Sequence, residues 1–323
     1  MRSYAVRRIL LIIPTMLILT LAVFFMVRLI PGDMVTMMVT QQQFAQGRAG
    51  QEPLDANVIR QALGLDKPIY IQYFEYLWGI VSRGDFGHSL WNDSTLLGML
   101  RLKLPVTLEL SILSLIIGLV LSIPLGIYSA IRQDTIGDYI GRTASILALA
   151  VPSFWLATLI IIYPSIWWDW APRVQYIPLT QDFWGNMGQF LLPAFLMGLS
   201  TAGGTMRITR TMMLEVLRQD YVRTAWSKGL RERAVVLRHA VRNTLIPVIT
   251  IVGGIIPGLF GGAVIMEQIF ALPGMGRYLL DAISQRDYLI VSGQNLIFAS
   301  FTMIIIVLTD LAYAYVDPRI RYD

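Results

Sequence analysis

One basic, polar block in this otherwise apolar chain reads Asp220-Tyr221-Val222-Arg223-Thr224-Ala225-Trp226-Ser227-Lys228-Gly229-Leu230. Its small residues Thr224, Ala225 and Gly229 recur about one turn apart on a predicted short helix, and arginine and lysine side chains surround them. Small residues allow another surface to approach closely, and a basic ring selects an acidic or polar partner. The block therefore predicts a docking surface for another protein and not a catalytic centre.

The composition around this block is typical of a membrane protein. Of 323 residues, 55% are apolar and 15% are charged, and the sequence has no cysteine. The apolar residues gather in six runs, each long enough at about 20 residues to cross a bilayer. These predicted spans are residues 9–30, 106–131, 143–168, 190–210, 245–266 and 296–315. The predicted fold is an all-α polytopic membrane protein with six transmembrane helices.

Positive charge gathers in alternate loops. Arg2, Arg7 and Arg8 precede the first span, the basic block precedes the fifth, and Arg319 and Arg321 follow the last. Because short cytoplasmic loops are enriched in Lys and Arg, this pattern predicts that both termini and the block are cytoplasmic. The net charge of +5 is then an orientation signal and does not indicate a nucleic-acid partner.

This orientation divides the chain into three parts. Residues 1–31 are predicted to form the N-terminal transmembrane helix, residues 32–104 an extracytoplasmic insert, and residues 105–323 a five-helix core. The core includes a cytoplasmic loop at about 211–244, which carries the predicted docking helix between the fourth and fifth spans. In the insert, an amphipathic stretch from 69 to 81 has the aromatic residues typical of a membrane interface.

Catalytic functions are excluded by the residues that the sequence lacks. It has no glycine-rich loop ending in Gly-Lys-Ser/Thr, so it has no ATPase site of its own. His88 and His239 are the two histidines, and neither has a second histidine four residues away, so no zinc-peptidase or other metal site is predicted. No predicted span carries a histidine that could activate a serine. The sequence therefore predicts neither an enzyme nor a cofactor-binding protein.

Two acidic residues fall inside predicted spans. Charges are expensive in a bilayer, so Glu109 and Asp310 are functional candidates. The alternatives are structural anchoring for Glu109, near the outer surface, and an ion pair with Arg207 or Arg210 for Asp310. Arg28 ends the first span and is expected to extend toward the interface.

The fifth span is rich in glycine and is interrupted by proline. Gly254, Gly258 and Gly262 recur at four-residue spacing, and Pro257 removes a backbone hydrogen bond. This pattern suits close helix packing and a pathway lining equally, so both interpretations stay open. Glu267 and Phe270 follow at the predicted outer mouth and are candidates for a gate.

A series of short motifs resembles the peptide-type branch of ATP-binding-cassette importer permeases. The motifs include Pro31-Gly32-Asp33, Gly84-Asp85-Phe86-Gly87-His88-Ser89, Leu104-Pro105-Val106-Thr107-Leu108-Glu109-Leu110, the basic block and Pro273-Gly274-Met275-Gly276. Their order is maintained over nearly the whole chain. Arg223 stands where many importers have a glutamate, and the segment from Gly229 to Pro247 is longer than in sugar importers. Both departures favour the peptide or nickel branch, and the resemblance is to the first of the two permeases.

The resemblance implies a role for the block and a set of partners. The block would form the helix that couples the spans to an ATPase subunit, through Gln219, Asp220, Tyr221, Arg223, Thr224, Ala225, Lys228, Gly229 and Leu230. The implied partners are a homologous second permease, two ATPase subunits that bind ATP and magnesium, and an extracytoplasmic substrate-binding protein. The implied location is the cytoplasmic membrane of a bacterium or archaeon. Di- or oligopeptides are the expected substrates, with nickel complexes, opines or small oligosaccharides as alternatives.

Two other classes of function compete with an importer permease. A self-sufficient secondary transporter normally has more spans, an inverted repeat and deep coupling charges, and the sequence shows none of these clearly. A membrane scaffold has no need for the glycine-rich fifth span or the long basic loop. Co-purification of an ATPase subunit with the chain would distinguish the importer from both.

Overall fold

The computed structural model describes residues 2–29, 35–36, 39, 56–62, 64–89, 91, 94–173 and 175–316. Across these ranges the chain is helical, with one isolated β-bridge between His88 and Thr95, which confirms the predicted all-α class. In chain order, the first helices are α1 (Arg2–Arg28), α2 (Ala56–Ala62), α3 (Ile69–Arg83), α4 (Leu96–Ile131), α5 (Ile136–Ala150), α6 (Ser153–Trp168) and α7 (Phe183–Leu217). They continue with α8 (Asp220–Ser227), α9 (Glu232–Ala234), a π-helical segment (Val235–Val241), α10 (Arg242–Ile269), α11 (Met275–Ser284) and α12 (Tyr288–Val316).

Three described helical stretches are long and apolar enough to cross a membrane. They are Leu96–Ile131, Pro247–Ile269 and Tyr288–Thr309, and the bent pair α5 and α6 makes a fourth if it counts as one span. Within α1, Leu10–Met26 is a shorter apolar stretch. The chain is therefore a polytopic membrane protein, and the count of six spans stays a prediction.

The predicted third span, residues 143–168, needs correction because it is not one continuous helix. α5 ends before Val151, which is extended, and α6 starts after Pro152, at an angle of 86° to α5. Proline lacks a backbone N–H and disfavours helical geometry in the residue before it, so Pro152 breaks the helix there. The other predicted spans that the structure describes each fall on one helix.

The described helices form two compact units, of which the larger is built mainly from residues 105–277. In this unit α7 packs against α5, α6 and α10, around a core that includes Val106, Leu110, Phe190, Ala194 and Met266. Glycines bring the helices close together. A Cβ on Gly203 would lie 2.6 Å from the carbonyl oxygen of Ser145 in α5, and one on Gly198 would lie 2.8 Å from that of Ser114 in α4. Such contacts drive helix association in lipid, where the hydrophobic effect is absent.

The smaller unit comprises residues 6–104 and 278–303, within the described ranges. In it α3 packs on α1, with the rings of Tyr73 and Phe24 5.2 Å apart and the Tyr73 and Thr20 hydroxyls 3.0 Å apart. On the opposite face of α3, Tyr70, Phe74 and Trp78 are exposed. This amphipathic helix confirms the aromatic stretch predicted at 69–81. The Gln-rich part of the insert, at 41–51, lies outside the described residues.

The motif from Gly84 to Ser89 is explained by packing in the smaller unit. Gly84 ends α3 in the left-handed conformation, and Gly87 has a φ of 117°. A Cβ on Gly87 would lie 3.1 Å from the carbonyl oxygen of Leu289, so glycine is required by both conformation and space. Ser89 then donates a 2.7 Å hydrogen bond to the buried carboxylate of Asp287.

Candidate functional site

The predicted docking helix is present as α8, which lies between α7 and α10. Gln219 is extended and precedes the helix, and Lys228 and Gly229 end it. Gly229 has a φ of 72°, the left-handed conformation that glycine adopts at little cost, and a Cβ there would contact nothing within 4 Å. The block thus forms a separate short helix with a sharply defined end.

Most residues predicted for docking are exposed on α8 and the turn that follows it. The exposed residues are Gln219, Asp220, Tyr221, Arg223, Thr224, Lys228, Gly229 and Leu230. Ala225 differs from these residues, because it is 5% exposed and packs with Val222 and Val235 of the same chain. The small size of Ala225 therefore serves the packing beneath α8 and does not add to its free surface.

The sequence pattern did not single out Trp226, which enlarges the exposed surface of α8. Tyr221 and Trp226 are each 44% exposed and Leu230 is 40% exposed. The charged side chains of Arg223 and Lys228 lie beside them. Aromatic and apolar side chains ringed by cations are the composition of a protein-docking surface. An aromatic residue inside a short amphipathic helix is the sequence signal that marks Trp226.

α8 is attached to the helices on both sides of it in the chain. Val222, Ala225 and Val235 form a small core with Val216 and Leu217 at the end of α7. On the other side, the Asn243 side-chain amide in α10 donates a 2.9 Å hydrogen bond to the Tyr221 hydroxyl. A force applied to α8 therefore reaches α7 through packing and α10 through a hydrogen bond.

A buried ion pair joins the ends of α4, α5 and α7. Asp138 of α5 is fully buried and accepts two 2.8 Å hydrogen bonds from the Arg210 guanidinium of α7. Ser129 of α4 also donates to this carboxylate, and Arg142 lies 3.5 Å away. Arg210 was one of the two partners considered for Asp310, and that pairing stays a prediction. The side chain of Asp310 lies outside the described residues.

A second buried hydrogen-bond network lies at the C-terminal end of α10. Glu267 is fully buried and accepts hydrogen bonds from the Thr107 hydroxyl at 2.5 Å and from the backbone N–H of Arg277 at 2.9 Å. The Thr107 hydroxyl in turn accepts from the backbone N–H of Met275 at 2.9 Å. Gly274 leaves no room for a Cβ beside the Glu267 carboxyl group, which explains the Pro-Gly-Met-Gly motif.

This network includes Glu267, one of the two residues predicted for a gate, and that role stays a prediction. Glu267 is fully buried and Phe270 is 5% exposed within the chain, so neither lines a free surface. They fix the turn between α10 and α11.

Glu109 is partly buried beside Asn186, and one of its carboxyl oxygens has no hydrogen-bond partner among the described residues. No group of three or more acidic, histidine or cysteine residues in the described part of the chain is arranged to hold a metal ion.

The glycine-rich face of α10 is open in the isolated chain. A Cβ on Gly254 or Gly258 would meet nothing within 4 Å, whereas one on Gly262 would lie 3.7 Å from Met197 of α7. Pro257 is partly buried between them. The predicted single face therefore divides, with Gly254 and Gly258 exposed and Gly262 partly buried beside α7. The close glycine contacts within the chain are elsewhere, at residues such as Gly198 and Gly203.

The described part of the chain is thus a multi-pass helical protein with a short exposed helix between the long helices α7 and α10. Residues 122–322 match the family model described as the binding-protein-dependent transport system inner membrane component. Residues 1–111 match the model for the N-terminal part of such components. The chain belongs to this family of permease subunits.

Relatives that match this chain over 99% or more of their own length have names from peptide transport. The chain is 37% identical over 325 residues to the oligopeptide transport system permease protein AppB of Bacillus subtilis, with all of both chains covered. A putative peptide transport system permease protein of Brucella abortus is also 37% identical over the full length of both. The dipeptide transport system permease protein DppB of Escherichia coli is 34% identical, and the match covers all of this chain and 99% of that one.

Proposed function

We propose that this chain is one of two permease subunits of an ATP-driven importer of di- or oligopeptides. The observation that carries the proposal is α8, an exposed aromatic and basic helix tied to α7 and α10. The peptide-transport names of relatives that match along their full length support the choice of substrate. Nickel complexes, opines and small oligosaccharides are the alternatives that substrate measurements must separate.

The partners follow from what a permease subunit lacks. ATP and magnesium bind on two ATPase subunits, one of which docks on α8. A homologous second permease completes the pathway, and the open face at Gly254 and Gly258 is available to it. An extracytoplasmic binding protein delivers the peptide to the insert at 32–104. The whole complex lies in the cytoplasmic membrane of a bacterium or archaeon, with both termini of this chain in the cytoplasm.

Transport proceeds by rigid-body movement and involves no chemistry on the peptide. When the ATPase subunits close on ATP, α8 moves with the groove that holds it. α7 and α10 follow because α8 is packed against one and hydrogen-bonded to the other. The buried Asp138–Arg210 pair makes α5 and α7 move together at this end. Such a movement of helices around a central pathway gives alternating access.

Replacement of one exposed tryptophan tests the docking surface. Trp226→Ala removes a large exposed ring from α8, so co-purification of the ATPase subunit and peptide-stimulated ATP hydrolysis should both fall at least tenfold. Trp184→Ala is the matched control, because Trp184 is 80% exposed at the start of α7 and should tolerate the change. Equal ATPase binding by the two variants would reject α8 as the docking site.

A substrate screen on the complete importer tests the other half of the proposal. The complex, reconstituted in liposomes with its binding protein, should accumulate labelled di- or oligopeptides when ATP is present. Nickel complexes and oligosaccharides serve as the comparison. Uptake of either of these without peptide uptake would support the importer function but show that peptides are not the substrate.

A further inference from the structure

A cavity of about 160 Å³ lies in the smaller unit, at the end of α1. It is bordered by Phe24 and Arg28 of α1, Gln72 and Tyr76 of α3, and Tyr288 at the start of α12. Water occupies about 30 Å³ per molecule in the liquid, so the cavity has room for about five. It is distinct from α8 and from the glycine-rich face of α10, and the role proposed above does not use it.

Arg28 brings a positive charge to this cavity. Its guanidinium stacks 3.4 Å from the centroid of the Phe24 ring and donates hydrogen bonds to the Gln72 side-chain oxygen at 3.0 Å and the Phe24 carbonyl at 3.3 Å. These bonds use two of its five N–H groups. No ion pair joins Arg28 to a carboxylate in the part of the chain that the structure describes. The stack holds the guanidinium at the cavity, whereas a side chain that only reached for the interface would extend away from the protein.

Tyr76 adds a hydrogen-bond donor to the same cavity. Its hydroxyl is buried and has no hydrogen-bond partner within the described ranges. Burial raises the pKa of Tyr76 well above its usual value, with the nearby Arg28 lowering it in part, so the hydroxyl is protonated at neutral pH. A buried hydroxyl without a partner is unfavourable, and an acceptor inside the cavity would satisfy it.

The acidic residue that borders the cavity is already paired. Glu75 lies on its edge, but the Lys67 ammonium is 2.6 Å from its carboxylate, and both side chains are about half exposed. The pair therefore contributes little net charge to the cavity, since solvent screens it and its two charges cancel. Among the described groups, the Arg28 guanidinium and the Tyr76 hydroxyl are then the donors that an anion in the cavity could use.

We propose that this cavity binds an oxyanion, a carboxylate or phosphate group held by the Arg28 guanidinium and the Tyr76 hydroxyl. Arginine recognises carboxylate and phosphate with two parallel hydrogen bonds, and the aromatic walls suit a group with an apolar neighbour. The oxyanion has two possible sources, a small free anion or the phosphate of a lipid headgroup. The proposal stands independently of the transported substrate.

Titration calorimetry on the purified complex in detergent tests binding of the free anion. Inorganic phosphate and acetate are titrated at constant ionic strength set with sodium chloride. Arg28→Gln should weaken binding at least tenfold, and Tyr76→Phe, which keeps the ring, about threefold or more. Arg83→Gln is the matched control, because Arg83 is exposed at the end of the same helix α3 and borders no part of the cavity.

Native mass spectrometry tests the headgroup source. The complex is released from nanodiscs containing phosphatidylglycerol, and the retained lipids are counted for the same variants. Loss of one retained lipid with Arg28→Gln, and not with Arg83→Gln, identifies the headgroup. If Arg28→Gln prevents assembly, Arg28→Lys, which keeps the charge and loses the paired donors, takes its place beside Tyr76→Phe. If neither measurement differs between these variants and the control, the oxyanion site does not exist.

Discussion

Asp138 of the larger unit is a buried carboxylate with several hydrogen-bond partners. It is fully buried and accepts hydrogen bonds from Arg210 and Ser129, with Arg142 3.5 Å away. Removal of one partner of a buried ion pair leaves an uncompensated charge, which costs about 3–5 kcal/mol. Arg210→Met should therefore lower the free energy of unfolding by about this amount, measured by denaturant titration in mixed micelles.

A double variant distinguishes the destabilisation caused by an unpaired buried charge from the stabilisation contributed by the ion pair. Asp138→Leu combined with Arg210→Met removes both charges and replaces them with apolar groups of similar size. Such replacements are often neutral, so most of the lost stability should return. Transport should nevertheless stay impaired, because α5 and α7 are then no longer joined by a directional contact. A double variant as unstable as Arg210→Met would show that packing, and not charge, makes the single variant unstable.

Gly229 follows the end of α8, the proposed docking helix, in a conformation that other residues rarely adopt. Its φ of 72° costs about 1–2 kcal/mol for most L-residues, whereas asparagine visits this region more readily. Gly229→Val should reduce ATP-dependent uptake strongly, because relief of the strain would reorient the end of α8. Gly229→Asn should retain most of it. Gly229→Trp, which also adds bulk to the exposed turn, should abolish coupling while the chain still inserts in the membrane. Equal uptake by the Val and Asn variants would show that transport does not depend on the left-handed conformation of Gly229.

At the scale of whole helices, hydropathy predicted the positions of the helical segments better than the breaks between them. Apolar length fixed the approximate positions of α1, α4, α7, α10 and α12, because a chain in lipid must satisfy its backbone hydrogen bonds internally. The break at Pro152 was missed, since the apolar run continues through it without interruption. Pro152 itself was the signal in the sequence that indicated a break. Its effect on the backbone dominates over the apolar run, because proline lacks the N–H donor and disfavours helical geometry at Val151.

The glycines of α10 and α7 should respond differently to the same substitution. Gly258 faces open space in the isolated chain, whereas a Cβ on Gly203 would lie 2.6 Å from a backbone oxygen of α5. Gly258→Leu should leave the subunit folded and disrupt pairing with the second permease, where overpacking costs about 1–3 kcal/mol. Gly203→Leu should instead destabilise the subunit itself. Subunit yield and a pull-down of the second permease measure the two effects.

A leucine at Ile256 is the control for Gly258→Leu, because it changes a partly buried neighbour on α10 without adding volume. It should leave both pairing and transport unchanged. If the Gly258 variant also pairs and transports normally, that face of α10 contacts lipid, which tolerates leucine, and it takes no part in the pathway.

For the molecule as a whole, the sequence predicted the exposed residues of α8, the proposed docking helix, better than the packing beneath them. Basic and small residues marked α8, and most of them are exposed. The burial of Ala225 and Glu267 was not predicted, because sequence spacing does not reveal which face of a helix is covered by the rest of the chain. The Asp138–Arg210 pair joins residues 72 positions apart, and nothing in the local pattern links them. Contacts of that kind depend on the tertiary arrangement of helices that periodicity alone leaves open.

The absence of cysteine allows the topology of the whole molecule to be tested one residue at a time. Ser82, Gln133, Gln181 and Ser227 are exposed and lie between the predicted spans. With the insert outside and α8 in the cytoplasm, Ser82→Cys and Gln181→Cys should react with a membrane-impermeant maleimide on intact spheroplasts. Gln133→Cys and Ser227→Cys should react only after lysis.

Gln133 and Gln181 decide whether the bent pair of α5 and α6 crosses the membrane, because they flank it on either side in the chain. Labelling of Gln181→Cys from outside and Gln133→Cys from inside makes the pair one span, which gives six in all. Reaction of both on the same side would make the pair re-entrant. α7 would then start in the cytoplasm, and Ser227→Cys at the end of α8 would become reactive on intact cells. That outcome would place α8 on the side of the membrane where no ATPase subunit can reach it, and the coupling role would be lost with the topology.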